Sequence, residues 1–500
     1  MSENAINQQS EGQATKNDEA KELHAIDEND RKQEHGDSTP ILVDWEDPAS
    51  QDPANPLNWS PTRKWGTIGV LSFIVFLTPL ASAAFAPGVP LVQEEFNNHS
   101  VTLATFVVSV FVLGFAVGPL ILAPLSEMYG RVPVYHVCNV LFVIFTVACA
   151  VASSIGQLVA FRFLAGFAGV ASVTIGGGSI ADMMPREQRA RAISAYTLGP
   201  LLGPIIGPIV GGFLVESKGW RWVFWLITIL AAAITIVAFI VFRESYPPIL
   251  LARKTQQLRK STGNDAYRSA LDNGETNSQR LMNAMIRPVK LLIFSLPVTL
   301  MSIYIAILYG LSYILFTTFT FVYEGVYGFS ASSAGLAFLG SGVGTLLGLA
   351  YVSPISDRVV KKAIAEKGSS DPEDRLPLVV TVPATLAIPA GLFLYGWAAE
   401  MKYHWIVPQV GNALVGFGTI AVLTCVQTYL IDAYTQHAAS VIAANAVLRS
   451  LLGALLPLFG LRLYNALGLG WGNTILGFIA LAFAPILWLF KIYGRKIRGQ

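Results

Sequence analysis

Cysteine is scarce in this chain of 500 residues, and its three cysteines, Cys138, Cys149 and Cys425, all lie in long apolar runs. Two cysteines on one predicted helix and a third far away give no disulfide framework, and they provide no basis for a metal cluster or a thiol catalyst. We interpret them as small apolar residues packed between helices. The sequence therefore predicts neither disulfide bonds nor a metal site.

Motifs of enzymes and of nucleotide-driven pumps are missing as well. The sequence contains no G-x-x-x-x-G-K-[ST], and the run Gly176-Gly177-Gly178 is not followed by lysine, which argues against ATP as a direct energy source. H-E-x-x-H, G-x-S-x-G and clusters of cysteine and histidine are also absent. We therefore expect no enzyme, no cofactor and no nucleic-acid partner.

Charge is the third scarce property. Charged residues make up 13% of the chain and hydrophobic residues 53%, whereas soluble domains hold about 25% charged residues. The apolar residues form blocks of the ~20 residues that a helix needs to cross a bilayer. We therefore predict an all-α polytopic membrane protein, with the lipid bilayer as its surroundings. Its twelve predicted spans are 65–85, 101–124, 133–153, 157–179, 192–215, 221–242, 292–321, 332–354, 377–398, 405–430, 439–463 and 471–490.

Polar segments divide the chain and orient it. Residues 1–58 hold 14 acidic and 4 basic residues, a composition typical of a disordered tail. The basic residues of the short loops fall on the side of the amino terminus, so both termini are predicted to be cytoplasmic. The predicted organisation is an acidic tail over 1–58, a six-helix half over 59–242, a cytoplasmic central loop over 243–290, a second six-helix half over 291–490 and a basic tail over 491–500.

The two halves repeat in sequence. Leu201-Leu202-Gly203 recurs as Leu451-Leu452-Gly453 in the fifth span of the second half, offset by 250 residues, and Gly219-Trp220 recurs as Gly470-Trp471. Two parallel six-helix repeats suit a carrier that rocks about a central site. A further match is offset by 230 residues and pairs Gly114, Gly118, Pro124, Ser126, Glu127 and Arg131 with Gly344, Gly348, Pro354, Ser356, Asp357 and Lys361.

A glycine and proline stretch lies inside the fifth predicted span. Glycine recurs there at every fourth residue, so the small positions keep to nearly one helical face and let another backbone approach closely. Each proline removes a backbone donor, and neighbouring helices must satisfy the freed carbonyls. We predict a role in conformational switching or leak prevention, with ordinary packing as the alternative. The members of this stretch are Gly199, Pro200, Gly203, Pro204, Gly207, Pro208, Gly211 and Gly212.

Two arginines lie inside predicted spans, where a charge costs roughly 2.5–3.5 kcal/mol on insertion scales. Arg162 lies five residues after Gln157, so it either carries a functional charge or reaches back to the membrane interface. Arg449 lies ten residues into the eleventh span, with Asn445 one turn before it. We predict that Arg162, Arg449 and Asn445 serve proton coupling or place a charge in a cavity. No Asp or Glu lies near the middle of a predicted span, so no proton carrier is assigned.

The loop between the second and third spans carries an acid and an arginine. Glu127 and Arg131 stand four residues apart across a glycine turn and can pair. The corresponding loop of the second half carries Asp357 and Arg358. We predict that these four residues form a conformational latch that favours one access state, with a structural salt bridge as the alternative.

Aromatic and polar residues are frequent in the seventh and tenth predicted spans. An apolar cavity with few polar groups is typical of a small-molecule site, although tyrosine and phenylalanine are also common in interfacial belts. Tyr309, Tyr313 and Phe316 in the seventh span and Gln427 in the tenth are therefore candidate residues of a substrate cavity.

These motifs resemble those of the major facilitator superfamily and, within it, of the fungal drug:proton antiporters with twelve spans. Residues 124–131 are similar to the superfamily's loop motif, with Glu127 where Asp is usual. Arg162 with Gly166 is similar to the fourth-span arginine motif that this family associates with proton transfer. The glycine and proline stretch is similar to the fifth-span antiporter motif, and residues 244–251 resemble the signature that follows span six.

The resemblance implies the major facilitator fold and a function in transport. The expected protein is a proton-coupled antiporter of the plasma membrane that exports small apolar or amphipathic compounds, such as drugs, toxins or secondary metabolites, by alternating access. Its energy source would be the proton gradient, and we expect it to act as a monomer. One alternative is a dedicated exporter or importer of a single metabolite, such as an organic anion or a polyamine. Another is a sensor that binds solute and signals through its tail.

Overall fold

The computed structural model describes residues 41–46, 52–272, 277–367, 371–435 and 438–497. Eleven helical stretches within these ranges are long and apolar enough to cross a bilayer. The last of them, Ser440–Ile497, has 58 residues and would measure about 87 Å as one straight helix. The chain instead reverses at Gly468, whose φ of +79° suits a residue without Cβ. The stretch therefore supplies two spans, and the prediction of twelve is confirmed.

The first six-helix half holds spans 1 to 6, joined by short connections. Its spans are Pro61–Ala83, Val101–Tyr129, Arg131–Ala150, Ile155–Met183, Arg186–Lys218 and Arg221–Val241. A short helix, Val89–Glu95, and a 3-10 turn, Ala86–Gly88, connect the first two spans, and a further 3-10 turn, Pro56–Asn58, precedes span 1. Span 5 stays helical through its three internal prolines.

The second half repeats this order with spans 7 to 12. Spans 7 to 10 are Leu296–Tyr327, Phe338–Lys367, Leu378–Glu400 and Ile406–Ala433. Span 11 is Ala438–Leu455 with the start of Pro457–Phe483, and span 12 is the remainder of that helix with Pro485–Ile497. The connecting elements are the helices Asn277–Phe294 and Ala331–Leu336 and the 3-10 turn Pro372–Arg375.

The two halves use the same close contacts between helix backbones. In the first half, a Cβ added to Gly166 of span 4 would collide with the Phe111 carbonyl of span 2. In the second half, a Cβ added to Gly416 of span 10 would collide with the Ser341 carbonyl of span 8. These two contacts are related by offsets of 230 residues in spans 2 and 8 and 250 residues in spans 4 and 10. The predicted six-helix pseudo-repeat is therefore confirmed.

Within each half, short connections make successive spans alternate in direction, and the residues after span 7 contact the end of span 5. Span 1 therefore begins and span 12 ends at the same end of the bundle. We call this end the terminal face and the opposite end the far face. The helix reversals at Gly219 and Gly468 both lie at the far face, with φ of +87° and +79°. The structural counterpart of Gly219 is thus Gly468, two residues before the Gly470 that the sequence repeat suggested.

A second compact unit combines part of the tail with part of the central loop. Strand β1 (Ile41–Val43) pairs in parallel with strand β2 (Tyr267–Ser269). The helix Pro247–Thr262 of the same unit carries Lys254, whose Nζ lies 3.3 Å from Asp52 Oδ2. The sequence did not predict this strand pair. Apart from β1 and the few residues around it, the tail predicted to be disordered lies outside the described residues up to residue 51.

Candidate functional site

A cavity of about 220 Å³ lies between the two six-helix halves. Both halves contribute to its walls: spans 1, 2, 4 and 5 on one side and spans 7, 8, 10 and 11 on the other. Of the four residues that the sequence suggested for a cavity, Tyr309, Tyr313 and Phe316 line it, and Gln427 lies elsewhere in span 10. Its volume lies below the about 300–1,000 Å³ typical of ligand pockets, so this state of the molecule holds the site narrow.

Aromatic side chains form one wall of the cavity. The rings of Tyr309 and Tyr313 have centroids 4.9 Å apart, and those of Tyr313 and Phe316 have centroids 5.6 Å apart. Phe316 in turn lies 5.7 Å from the ring of Phe338 in span 8. Tyr309, Tyr313 and Phe316 share one face of span 7 because they recur at intervals of three and four residues. The wall is therefore continuous and largely apolar.

Arg449 reaches this cavity from span 11. Its guanidinium lies 5.0 Å from the centre of the Tyr309 ring, which is within the range of a cation–π interaction. Asn445, one helical turn earlier, is 3% exposed, and its amide nitrogen has no hydrogen-bond partner in the described chain. Of the predicted pair, Arg449 therefore lines the cavity, whereas Asn445 is buried in span 11 and is not part of the cavity wall.

Arg162 occupies a different environment, inside the first half. The residue is 1% exposed, so its side chain does not extend to the membrane interface. Its Nη2 donates hydrogen bonds to the carbonyl oxygens of Ser82 in span 1, at 3.1 Å, and Val108 in span 2, at 3.3 Å. Arg162 therefore joins spans 1, 2 and 4 and does not line the central cavity.

Three phenylalanine rings surround the Arg162 guanidinium. The distances from its central carbon to the ring centres are 5.0 Å for Phe85, 5.2 Å for Phe111 and 5.8 Å for Phe224. Aromatic faces attract a cation more strongly where water is excluded, and the carbonyl dipoles add to this effect. Within the described chain, Arg162 is thus accommodated by rings and carbonyls, and no carboxylate pairs with it.

The glycine face of span 5 packs against span 1 of the same half. A Cβ added to Gly199 would lie 2.8 Å from the backbone nitrogen of Phe76, and one added to Gly203 would lie 2.8 Å from that of Leu80. A Cβ on Gly207 would lie 2.8 Å from the Leu80 carbonyl oxygen, and one on Gly211 would collide with a carbonyl one turn further along. The predicted close approach of another backbone exists, and we call this contact between spans 1 and 5, which lies within one half of the molecule, the seam.

The prolines of the same stretch face the other way. Pro200 and Pro204 line the central cavity. Nearer the far face, the Pro208 carbonyl leaves no room for a side chain at Gly335, and Gly212 contacts the Ala331 carbonyl in the same way. The other glycines of the stretch therefore face span 1 of the same half. The three prolines and Gly212 face the cavity or the second half.

Arg131 anchors a polar cluster at the terminal face. Its Nε lies 3.2 Å from Asp182 Oδ2 at the end of span 4, and its Nη1 donates to Ser126 Oγ at 2.7 Å. The guanidinium also lies 4.4 Å from the centre of the Tyr246 ring. Glu244 accepts the backbone N–H of Arg131 at 3.0 Å, and a carboxylate at a helix N-terminus is stabilising. We call these five residues the Arg131 cluster.

The second half has its own version of this ion pair, at residues that the sequence repeat did not indicate. Arg375 Nε lies 2.6 Å from Asp432 Oδ2 at the end of span 10. Glu127, Asp357 and Arg358, which were predicted to act with Arg131, are exposed and form no ion pair within the described chain. The predicted pairing of Glu127 with Arg131 is therefore not observed, because Arg131 turns towards Asp182.

The sequence contained a signal for these partners that the predictions did not use. Asp182 and Asp432 end the fourth and tenth spans, and they are offset by the same 250 residues as the rest of those spans. The aromatic surroundings of Arg162 had no such signal, because their rings come from three separate segments, namely the turn after span 1, span 2 and span 6. Among the described residues, no group of three or more His, Cys, Asp or Glu side chains is placed to hold a metal ion.

The chain matches a sequence model described as Major Facilitator Superfamily over residues 71–457. It is 52% identical over 464 residues to the MFS-type transporter tndD of Aspergillus flavipes, covering 92% of this chain and 86% of that protein. It is 52% identical over 477 residues to the MFS-type transporter penM of Penicillium rubens, covering 95% and 93%. It is 47% identical over 473 residues to the efflux pump radE of Floropilus chiversii, covering 94% and 87%.

Solved structures agree on the fold. A D-xylose–proton symporter superposes with a TM-score of 0.64 at 17% identity, covering 85% of this chain and 97% of that one. An inward-facing bacterial homologue of the lysosomal transporter Spinster superposes with a TM-score of 0.58 at 16% identity, covering 88% and 98%. At these identities the likeness concerns the fold alone.

Proposed function

This chain belongs to the major facilitator superfamily, and we propose that it exports small apolar or amphipathic compounds in exchange for protons. It is a multi-pass membrane transporter and not an enzyme, because its family and its named relatives are transporters. The name efflux pump given to one relative supports the outward direction. The observation that carries the proposal is the central cavity, whose walls come from both six-helix halves.

Alternating access follows from this arrangement of the walls. Because each half contributes one side of the cavity, a rotation of one half against the other opens the cavity at one face and closes it at the other. In the present state the halves touch at the far face, where Glu216 accepts the backbone N–H of Ser332 at 3.0 Å. The glycine face of span 5 would let the first half move as one body, since it holds spans 1 and 5 in backbone contact.

Charge coupling is assigned to Arg162, Arg449 and Asn445. A guanidinium keeps its proton at any physiological pH, so the arginines would act as fixed charges that alter the energy of a nearby proton or substrate charge. Arg162 would act from inside the first half, and Arg449 would act directly on the cavity. The energy source under this proposal is the proton gradient, and no cofactor takes part.

The latch is proposed to close at the terminal face. The Arg131 cluster ties spans 2, 3, 4 and 6 together there. Glu127, Asp357 and Arg358 are exposed in the present state, so they are available to pair when the halves meet at that face. Under this proposal Arg131 holds its own half together, and the three exposed residues act between the halves.

The proposal also covers the orientation of the chain, its location and its transporting unit. The basic residues of the short loops lie at the terminal face, so this face is assigned to the cytoplasm with both termini. The plasma membrane is the proposed location, because export from the cell requires it. We further propose that a single chain is the transporting unit, since the cavity is complete within one chain.

The experiment that tests this function measures efflux from vesicles that contain the purified full chain. The vesicles are loaded with a panel of apolar and amphipathic compounds, and a pH gradient is imposed across the membrane. Under the antiport proposal, efflux accelerates when protons can enter and slows when the gradient is collapsed with an ionophore. Efflux that ignores the gradient contradicts antiport. A chain that lacks the tail should transport at the full rate, whereas a sensor would lose its output.

A further inference from the structure

Arg449 is the single charged side chain in the described wall of the central cavity. No described carboxylate or carbonyl accepts a hydrogen bond from its guanidinium, and its Nε is buried without a partner. The guanidinium lies over the face of the Tyr309 ring, 5.0 Å from its centre. The cavity therefore presents a cation that the protein itself does not neutralise.

An unpaired cation in a largely apolar cavity is costly unless an anion or a hydrogen-bond acceptor pairs with it. The Arg449 side chain is half-buried, so it loses part of its hydration, and a ring face offsets this loss only in part. The planar fork of arginine matches the two oxygens of a carboxylate or a similar acid. A ligand with one negative charge would therefore gain more from this cavity than an uncharged ligand of the same shape.

Arg162 shows that this situation is particular to Arg449. The Arg162 guanidinium is bonded to the Ser82 and Val108 carbonyls and enclosed by three rings. It does not line the central cavity. Arg162 is thus hydrogen-bonded within the protein, whereas Arg449 lies in the cavity wall, where a ligand can contact it.

The rest of the cavity indicates what the anion is attached to. The rings of Tyr313, Phe316 and Phe338 follow one another at centroid distances of 5.6 and 5.7 Å. Ser312 and Thr419 also line the cavity, and their hydroxyls lie 3.5 Å apart. Flat or apolar groups pack well against such a wall, and the hydroxyls can serve one or two polar substituents.

We propose that the central cavity selects organic anions, with the acid group on Arg449 and an aromatic or apolar body along Tyr313, Phe316 and Phe338. This inference rests on the proposed transport function and names its substrate class. It also distinguishes between the two metabolites considered for a dedicated carrier, an organic anion and a polyamine. The polyamine would be repelled by the positive charge of Arg449. The preferred substrates are amphipathic acids that are ionised at neutral pH.

The test measures binding to the purified full chain, with three probes of the same ring system. 1-Naphthaleneacetate carries a negative charge, 1-naphthaleneacetamide is its neutral analogue and 1-naphthylmethylammonium is the matching cation. The expected order of affinity is acetate over amide by at least tenfold, with the cation weakest. In Arg449→Gln the acetate should lose this advantage while the amide keeps its affinity, and Arg449→Lys should restore part of it.

Arg462→Gln is the matched control, because Arg462 lies in the same span, is exposed and does not line the cavity. This variant should bind all three probes as the unchanged protein does. The proposal is overturned if the acetate binds no better than the amide, if Arg449→Gln weakens both probes equally, or if the full chain binds none of the three. Binding is measured without a pH gradient, so a failure of proton coupling would leave this result unaffected.

Discussion

Arg162 in span 4 and Asn412 in span 10 occupy corresponding positions of the two halves, 250 residues apart. Arg162 is enclosed by rings and bonded to two carbonyls, whereas both amide atoms of Asn412 are buried without a hydrogen-bond partner in the described chain. At the cavity it is the second half that carries the charge. Arg449 lies in span 11, and its counterpart in span 5 is Gly199, which packs against span 1.

This comparison explains how a duplicated fold acquires two different halves. The first half encloses its charge between spans 1, 2 and 4, where Arg162 bonds to the Ser82 and Val108 carbonyls, and this ties those helices together. The second half exposes its charge to the cavity, which favours selection of a ligand. Three sets of matched variants separate these roles of the two halves.

The largest effect is expected at the seam between spans 1 and 5. Gly203→Leu places a side chain 2.8 Å from the Leu80 backbone nitrogen, and a backbone cannot rotate away as a side chain can. Span 5 must shift, and Pro204 in the cavity wall shifts with it. We expect Gly203→Leu to abolish vesicle transport while the protein still reaches the membrane, and Gly207→Leu to do the same.

The corresponding glycine of the second half should be more tolerant. A Cβ on Gly453 would lie 2.8 Å from the ring edge of Tyr309, a side chain that can move, so Gly453→Leu should keep measurable transport. Gly69→Leu, in span 1 where no atom lies within 4 Å, is the control and should transport normally. Normal transport by Gly203→Leu would mean that the seam is ordinary packing.

The second experiment compares Arg162 with Asn412. Arg162→Met removes a buried charge that has no carboxylate partner, so the free energy of unfolding should change little or rise. Transport should nevertheless fall at least tenfold if this charge serves coupling. Asn412→Leu removes two unpaired polar atoms, each costing about 1–3 kcal/mol when buried, and it should keep both transport and stability.

Two measurements on the same purified variants decide this comparison. Thermal unfolding in detergent reports stability, and vesicle efflux under a pH gradient reports coupling. If Arg162→Met loses stability and transport together, Arg162 is a structural bond between spans 1, 2 and 4. If the variant transports at the full rate, the assignment of Arg162 to proton coupling is wrong.

Much of the fold could be predicted because composition and spacing act locally. Blocks of about twenty apolar residues predicted the spans, and the repeat offsets predicted the two halves. The glycines of span 5 predicted a close helix contact, since small residues at every fourth position share a face. The sequence could not tell which helix would meet that face, because the neighbour, span 1, is chosen by packing across the half.

The candidate site was predictable in part for the same reason. Tyr309, Tyr313 and Phe316 share one face of a single helix, so their common wall could be expected from spacing. The second-half counterpart of Arg131 could not be expected from the 230-residue offset, because the connection before span 9 is longer than the single glycine before span 3. That insertion moves the counterpart of Arg131 to Arg375, and the offset therefore pointed to Lys361 instead.

The smallest effect is expected from these two ion pairs. Asp182→Asn leaves the Arg131 guanidinium, whose side chain is 11% exposed, without its carboxylate, and we expect a loss of about 3 kcal/mol in the free energy of unfolding. Asp432→Asn acts on a pair whose side chains are 24% and 34% exposed, where water screens the charges, so about 1 kcal/mol is expected.

Thermal unfolding of the detergent-purified variants at a single pH and salt concentration measures both losses. Lys362→Gln is the control, because its pair with Glu366 is exposed and exposed pairs of this kind contribute less than about 0.5 kcal/mol. Equal losses for Asp182→Asn and Asp432→Asn would contradict the view that the more buried of the two pairs is the stronger one. A larger loss for Asp182→Asn would support it, since burial then makes the first-half pair the stronger bond between helices.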